Sequence, residues 1–366
     1  MLIDVIAGAR PNFMKIAPII AAIEVEQKNG VNIHYRLVHT GQHYDKKMSG
    51  DFFEQLGIPT PHFNLEVGSG TQAEQTGKIM MGYEQLLMQQ PCDLCIVVGD
   101  VTSTMACSIA AKKMNNIKVA HVEAGIRSGD WTMPEEINRI VTDSITDYFF
   151  TTSEVANNSL RKAGVPESQI FYVGNTMIDT LHRQMSRFQQ PELWNRLGLQ
   201  EKEYIIMTLH RPANVDNKEK LTELIAEIVN SSHGIPLVFP VHPRTAKMLE
   251  LAGINAPNLH TTDPLGYLEF NYLVKNAKAV ITDSGGITEE TTVMGIPCMT
   301  LRDSTERPET CTIGTNELLG TDPKAIAPAM QTLFAGNWKK GSIPHLWDGK
   351  TAPRIVNHII QLFQPA

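Results

Sequence analysis

The sequence predicts an α/β protein built from two doubly wound domains that face each other across a cleft. Three observations predict it. Short apolar runs alternate with longer amphipathic stretches, the runs end in glycine or polar residues, and the whole series starts again in the second half of the chain. The 366 residues fit two domains with ample core, and a hydrophobic share of 42% fits a globular fold rather than disorder.

In the first half, "LIDVIAG", "HYRLVHTG", "DLCIVVGD" and "KVAHVEAG" each precede a helical pattern. That is a βαβα series, giving a parallel sheet with helices on both faces. A second series follows "IFYVGN" near Asn175: "EYIIMTLHRP", "IPLVFPVHP", "NLHTTD" and "KAVITDSGG". Between them, "PELWNRLGLQEKEY" reads as a helix plus connection inside the second domain. The expected domains are residues 1–172 and 173–352, with residues 353–366 a C-terminal helix that packs back on the first domain. Neither low-complexity tracts nor short-period repeats interrupt this plan. In such sheets ligands collect outside the carboxyl ends of the strands, so the strand ends are where chemistry is sought.

The net charge of -7 argues against a general nucleic-acid binder and leaves room for a local basic pocket. No apolar run reaches the length of a membrane span. "MLIDVIAGARPNF" opens directly with a strand pattern and has neither a basic n-region nor an h-region, which points to a cytoplasmic protein. Of the five scattered cysteines, Cys92 and Cys95 form a CxxC. A redox or zinc pair is one reading. With no second CxxC and no histidine pair at finger spacing, two small residues entering a buried strand is the preferred one.

"TDSGGITEETTVMGIP", Thr282 to Pro297, reads as a strand end, two glycines and a helix start. Gly285 and Gly286 let backbone N–H groups approach an anion, the helix dipole favours it, and Ser284 adds a hydroxyl. Glu290, about one and a half turns into the helix, can take both hydroxyls of a ribose. The plain alternative is an ordinary strand–helix turn; nucleotide binding is preferred. "GARPNFMKIAP" places Arg10 and Lys15 in the first strand–helix turn, without the G-x-G-x-x-G of a dinucleotide site. A forked cation at Arg10 suits a pyrophosphate or carboxylate, whereas Lys15 is either functional or a snorkelling surface lysine. His210, in "MTLHRP", offers a phosphate contact or a proton role. His242 and Arg244, in "PVHPRT", are ranked lower as nucleobase-side or structural residues.

Three carboxylates converge from different strand ends: Asp100 after "DLCIVVGD", Glu123 after "KVAHVEAG", and Glu135 behind Pro134. A metal site and an acid/base site both fit such a cluster. Arg127 and Arg139 lie nearby in sequence. Glu135 and Arg139 could also be a surface pair at i,i+4, and Glu136 is read as helix-start charge only. Asp130 is left without a role.

Taken in order, "GARPNFMKIAP", "TGQHYD", "VVGDVTST", "HVEAGIRSGD", "PEEINR", "GNTMIDTL", "HRPANVD", "VHP", "TDSGGITEE" and "RDSTERPE" resemble the non-hydrolysing UDP-N-acetylglucosamine 2-epimerase family over nearly the whole chain. The resemblance implies two Rossmann-like domains in a glycosyltransferase-B-like arrangement, usually as a homodimer acting on a UDP-sugar. It implies removal of the C2 proton while UDP leaves C1, a glycal intermediate, and re-addition of UDP with C2 protonated on the opposite face. It implies no nicotinamide or other cofactor and no metal. By its motifs Asp100, Glu123 and Glu135 are catalytic, with His210 close to the phosphates. Arg10, Lys15 and Arg139 stabilise the departing diphosphate, Ser284, Gly285 and Gly286 bind phosphate, and Glu290 holds the ribose.

One stretch departs from the pattern. Many bacterial members carry "QHR", linked to activation by UDP-N-acetylglucosamine, where this chain has "QHYD", Gln42 to Asp45. The "TGQHYD" form is similar to members acting on modified sugars such as diacetamido uronic acids. Three other functions compete. A hydrolysing epimerase would release N-acetylmannosamine and UDP, but its relatives typically carry Asp after Arg-Ala where this chain has "RPNF". A glycosyltransferase on the same scaffold would need an acceptor and fewer carboxylates. A nucleotide-sugar sensor would have no use for the acids.

Overall fold

The computed structural model describes residues 1–41, 56–114, 116–241 and 243–363, and the side chains of residues 10, 11, 243 and 244 lie outside the description. Gln42 to Asp45, His242 and the side chains of Arg10 and Arg244 therefore lie outside the described residues. The chain divides into two compact units: Met1–Arg183 with His345–Ala366, and Gln184–Pro344.

The first unit runs β1 (Leu2–Ala7), α1 (Arg10–Lys28), β2 (His34–His39), β3 (Phe63–Asn64), α2 (Gln72–Gln89), β4 (Leu94–Val98), α3 (Thr102–Lys113) and β5 (Lys118–Val122). It continues through α4 (Pro134–Ile145), β6 (Tyr148–Thr151), α5 (Glu154–Lys162), β7 (Ile170–Tyr172) and α6 (Thr176–Gln184). Its sheet has seven parallel strands in the order β3-β2-β1-β4-β5-β6-β7. The order reverses between β1 and β4, which opens a crevice at their carboxyl ends.

Central strands of a parallel sheet are covered on both faces, and β1 and β4 are accordingly buried along most of their length. One charge breaks this rule. Asp4 is fully buried in β1, where an unpaired carboxylate would cost several kcal/mol. Arg36 of β2 answers it with a fork, Nε to Oδ1 at 2.6 Å and Nη2 to Oδ2 at 2.8 Å, and the Tyr83 hydroxyl donates to Oδ2 at 2.9 Å. Helix α1 buries Phe13, Ile16, Ile19, Ile20 and Ile23, an apolar stripe at helical spacing. Its start is pinned by Asn12, whose Oδ1 accepts from Gly8 N and Ala9 N and whose Nδ2 donates to Val98 O at 2.8 Å.

The second unit carries α7 (Glu192–Arg196), β8 (Ile205–Thr208), α8 (Pro212–Val215), α9 (Lys218–Ser231), β9 (Leu237–Pro240), α10 (Pro243–Ala252), β10 (Leu259–Thr262) and α11 (Tyr267–Asn276). After these come β11 (Ala279–Thr282), α12 (Gly285–Met294), β12 (Cys298–Thr300), α13 (Pro308–Thr312), β13 (Asn316–Leu318) and α14 (Ile326–Phe334). Six parallel strands lie in the order β10-β9-β8-β11-β12-β13, so the switch point falls between β8 and β11. One face of the sheet packs Ile205, Met207, Phe239 and Ile281, and the other packs Tyr204, Ile206, Val238 and Val280.

The last helix, α15 (Thr351–Phe363), buries Ile355, Val356 and Ile359 and packs on α1. Asp179 of α6 caps its start, accepting from Thr351 N at 3.0 Å and Ala352 N at 2.7 Å. The compact units change over at 183/184 and 344/345, where the sequence reading used 172/173 and 352/353. Side-chain hydrogen bonds explain the extra residues. Thr180 donates to Met14 O at 2.5 Å, and Trp347 Nε1 donates to Thr152 O at 3.0 Å, so α6 and the segment before α15 both belong to the first unit.

Candidate active site

In the first unit the charged residues gather at the strand ends beside the β1/β4 switch. Glu123 follows β5 directly and is buried. Its backbone has φ +69°, a left-handed conformation that costs a non-glycine residue on the order of 1 kcal/mol or more and persists only where the surroundings enforce it. Lys15, one turn into α1, reaches Glu123 with Nζ 2.7 Å from Oε2. Gly99 makes room for this pair. It has φ +70°, and a Cβ there would lie 3.2 Å from Lys15 Nζ.

Asp100 follows Gly99, and 30% of its side chain is exposed. Arg139 of α4 holds its Oδ2 from Nε at 3.0 Å and from Nη2 at 2.6 Å, and Asn138 donates to its carbonyl at 2.8 Å. Two of the three cations assigned to a diphosphate in the sequence, Lys15 and Arg139, thus each face a carboxylate here. Arg127 pairs with Asp143 instead, at 2.7 Å.

Of the two glutamates at the start of α4, it is Glu136 that departs from its expected character. Glu136, read as helix-start charge, is buried and accepts from Ser128 N at 2.9 Å, Gly129 N at 3.0 Å, Ser128 Oγ at 3.1 Å and Arg139 Nη1 at 2.7 Å. It closes the "RSGD" loop onto the helix. Burial pushes its carboxyl up, but these donors outweigh burial and hold it below the usual range. Arg139 therefore pairs with Glu136 at i,i+3, not with Glu135 at i,i+4. Glu135 is half-buried, and its side chain makes no hydrogen bond or ion pair among the described residues. Asp130, unassigned in the sequence, accepts from Thr132 N and Oγ1 in an Asx turn.

In the second unit Asp283 directly follows β11 and is fully buried. It organises the loop after β8, accepting from His210 N, Arg211 N at 2.9 Å and Asn214 Nδ2 at 3.1 Å. His210 Nδ1 also lies 2.8 Å from Asp283 Oδ1. That contact leaves Nε2 as the free edge of a ring whose side chain is 56% exposed. Burial raises the Asp283 carboxyl, but His210 and the backbone donor of Arg211 bring it below its ordinary value. Ser284, Gly285 and Gly286 follow at the start of α12 and are half-buried; Ser284 N donates to Thr282 Oγ1 at 2.9 Å, and among the described residues the N–H groups of Gly285 and Gly286 have no acceptor. Glu290 is buried deeper than a solvent-facing ligand. Burial pushes it up to about 7, and the Tyr267 hydroxyl donates to its Oε1 at 2.7 Å.

The structure brings together Lys15, Asp100, Glu123 and Arg139 in one unit, and His210 with the Ser284 turn in the other. Sequence reasoning missed Asn12, His121, Asn138, Asp143, Asn214 and Tyr267, which hold the predicted residues in place. Among the described residues there is no group of three His, Cys, Asp or Glu side chains that could hold a metal ion. All five cysteines are free thiols, and Cys92 and Cys95 are buried in the core of the first unit.

Two doubly wound parallel units with charged loops at their switch points define an α/β enzyme suited to a phosphorylated ligand. Residues 24–360 match the family model described as UDP-N-acetylglucosamine 2-epimerase, and the chain belongs to that family. It is 39% identical to the UDP-N-acetylglucosamine 2-epimerase of Methanocaldococcus jannaschii, over 97% of this chain and 98% of the relative. It is 38% identical to the UDP-2,3-diacetamido-2,3-dideoxy-D-glucuronate 2-epimerase of Pseudomonas aeruginosa, over 99% of this chain and 100% of that one. The crystal structure of the M. jannaschii enzyme in complex with UDP-GlcNAc and UDP superposes with a TM-score of 0.85 at 38% identity, covering 99% of this chain and 100% of that chain.

Proposed function

We propose that this enzyme inverts C2 of a UDP-N-acetylhexosamine without hydrolysing it. A carboxylate takes the C2 proton and the C1–O bond breaks, with its electron pair leaving on the β-phosphate of UDP. A C1=C2 glycal is left. UDP then adds back to C1 while C2 receives a proton from the opposite face. The observation that carries this reading is the side-by-side arrangement of two carboxylate–cation pairs, Glu123 with Lys15 and Asp100 with Arg139, at adjacent strand ends. Proton transfer needs the carboxylates. The departing diphosphate needs the cations, which an arriving anion would share with the acids.

In this reading Asp100, Glu123 and Glu135 move protons, and Arg10, Lys15 and Arg139 stabilise the leaving diphosphate. His210, Ser284, Gly285 and Gly286 contact phosphate, and Glu290 holds the ribose. The sugar is UDP-N-acetylglucosamine, giving UDP-N-acetylmannosamine, or a modified acetamido sugar. The relatives named for both kinds of substrate, at nearly equal identity, support keeping the two together. The protein works as a homodimer, supported by the exposed Met81 and Ile137 and by the apolar groove of about 470 Å³ lined by Met80, Met105 and Ile137 on the first unit. It works in the cytoplasm, where five free thiols persist.

The test is proton NMR of the enzyme in deuterated water, first with UDP-N-acetylglucosamine and then with the UDP-diacetamido uronic acid. A 2-epimer carrying deuterium at C2 is expected with one of them. Free sugar plus UDP would move the protein to the hydrolysing class, and transfer to an added acceptor would make it a glycosyltransferase.

A further inference from the structure

His121 is used neither by the sequence reading nor by the proposed reaction, yet it touches every segment that carries a proposed acid. It lies in β5 and is fully buried. Its Nε2 is 2.8 Å from the carbonyl oxygen of Gly99, the residue before Asp100. Its Nδ1 is 2.7 Å from Asp143 Oδ1 on α4, the helix that also bears Glu135 and Arg139. Glu123 follows two residues later on the same strand end. A carbonyl oxygen can only accept. The other Asp143 oxygen already accepts from Gly125 N at 3.1 Å and from Arg127 at 2.7 Å. The Arg127 guanidinium at 2.7 Å favours the ionised carboxylate, so the oxygen facing the ring accepts too. Hydrogen-bond accounting then requires a proton on both ring nitrogens. A bare nitrogen would set a lone pair against a buried acceptor, leaving both unsatisfied.

We propose that His121 is a positioning residue: a ring donating from both nitrogens that ties the Gly99–Asp100 turn, the Glu123 strand end and helix α4 at one fixed spacing. Arg127 and the ring hold the two oxygens of Asp143 from opposite sides, so the carboxylate is fixed in place as well as the ring. Its effect on turnover rests on the epimerase reading; the state of the ring does not.

Two measurements decide it. Long-range proton–nitrogen correlation NMR on the wild-type protein at neutral pH should show both His121 nitrogens protonated, and a bare ring nitrogen would overturn the proposal. His121→Gln and Asp143→Asn should then lower kcat by on the order of 100-fold, the cost of displacing reacting groups by about an ångström, with KM little changed. Folded variants with wild-type kcat would also overturn it. Should the wild type turn over no UDP-sugar, the functional reading fails, while the ring measurement still decides the brace. It does so equally if the variants do not fold.

Discussion

Lys15 Nζ and Glu123 Oε2 sit 2.7 Å apart although 108 residues separate them in the chain. Only 2% of the Glu123 side chain and 13% of the Lys15 side chain reach solvent. Removing one partner of such a pair leaves a charge stranded, so Lys15→Met should destabilise the protein by about 3 kcal/mol in urea unfolding. The double variant Lys15→Met/Glu123→Gln should recover most of that loss, since both charges are gone. Strictly additive losses would show that the two side chains do not depend on each other.

Asp100 is the more exposed of the two paired carboxylates. Asp100→Asn keeps the shape and keeps an oxygen to accept from Arg139, but it cannot take a proton. Turnover should fall by about 100-fold or more, the scale of general acid–base help. UDP affinity by titration calorimetry should hardly change. A variant with undiminished turnover would remove Asp100 from the proton path.

How far this site was legible follows from what each residue needed to be seen. The strands "LIDVIAG", "DLCIVVGD" and "KAVITDSGG" are buried on both faces, and a continuous apolar run ending in Gly or Asp is visible in one dimension. Asp100 and Glu123 could be found because they sit where those runs stop. Strands β3, β12 and β13 are two or three residues long and leave no pattern to read. The partners were hidden for a different reason. Whether Glu135 or Glu136 faces inward depends on the helix's rotation against the "RSGD" loop, which adjacent identical residues do not reveal. His121 stood inside the motif that drew attention, yet its value comes from Gly99 and Asp143, both 22 residues away.

Glu136 makes a prediction about acid. Its carboxyl is held below the ordinary value of 4.5 in the folded protein. A group depressed in this way contributes stability that is present above the unfolded value and is lost as pH falls through the folded one. Stability should therefore drop with acidification below about pH 4.5. Glu136→Gln should flatten part of that slope. At neutral pH the variant should be less stable by about 2 kcal/mol, because four donors then face a neutral amide. Chemical unfolding of both proteins from neutral pH down to about pH 2 measures both effects, and identical slopes would refute the assignment.

Glu290 makes the opposite prediction. Burial pushes its carboxyl up to about 7, with the Tyr267 hydroxyl pulling the other way. A group raised on folding contributes stability that is fully present below its unfolded value and is lost as pH rises through the folded one. Wild-type stability should therefore decline by about 3 kcal/mol between pH 4.5 and pH 7, a loss that Glu290→Gln should not show. Binding should run the other way. Two ribose hydroxyls are best accepted by an ionised carboxylate, so UDP affinity should rise as pH passes through about 7. UDP's own terminal phosphate also ionises near there, so the quantity to compare is the difference between wild type and Glu290→Gln at each pH. A difference that widens with pH supports the ribose contact. A constant one would leave Glu290 as a buried partner of Tyr267 and move ribose recognition elsewhere on the second unit.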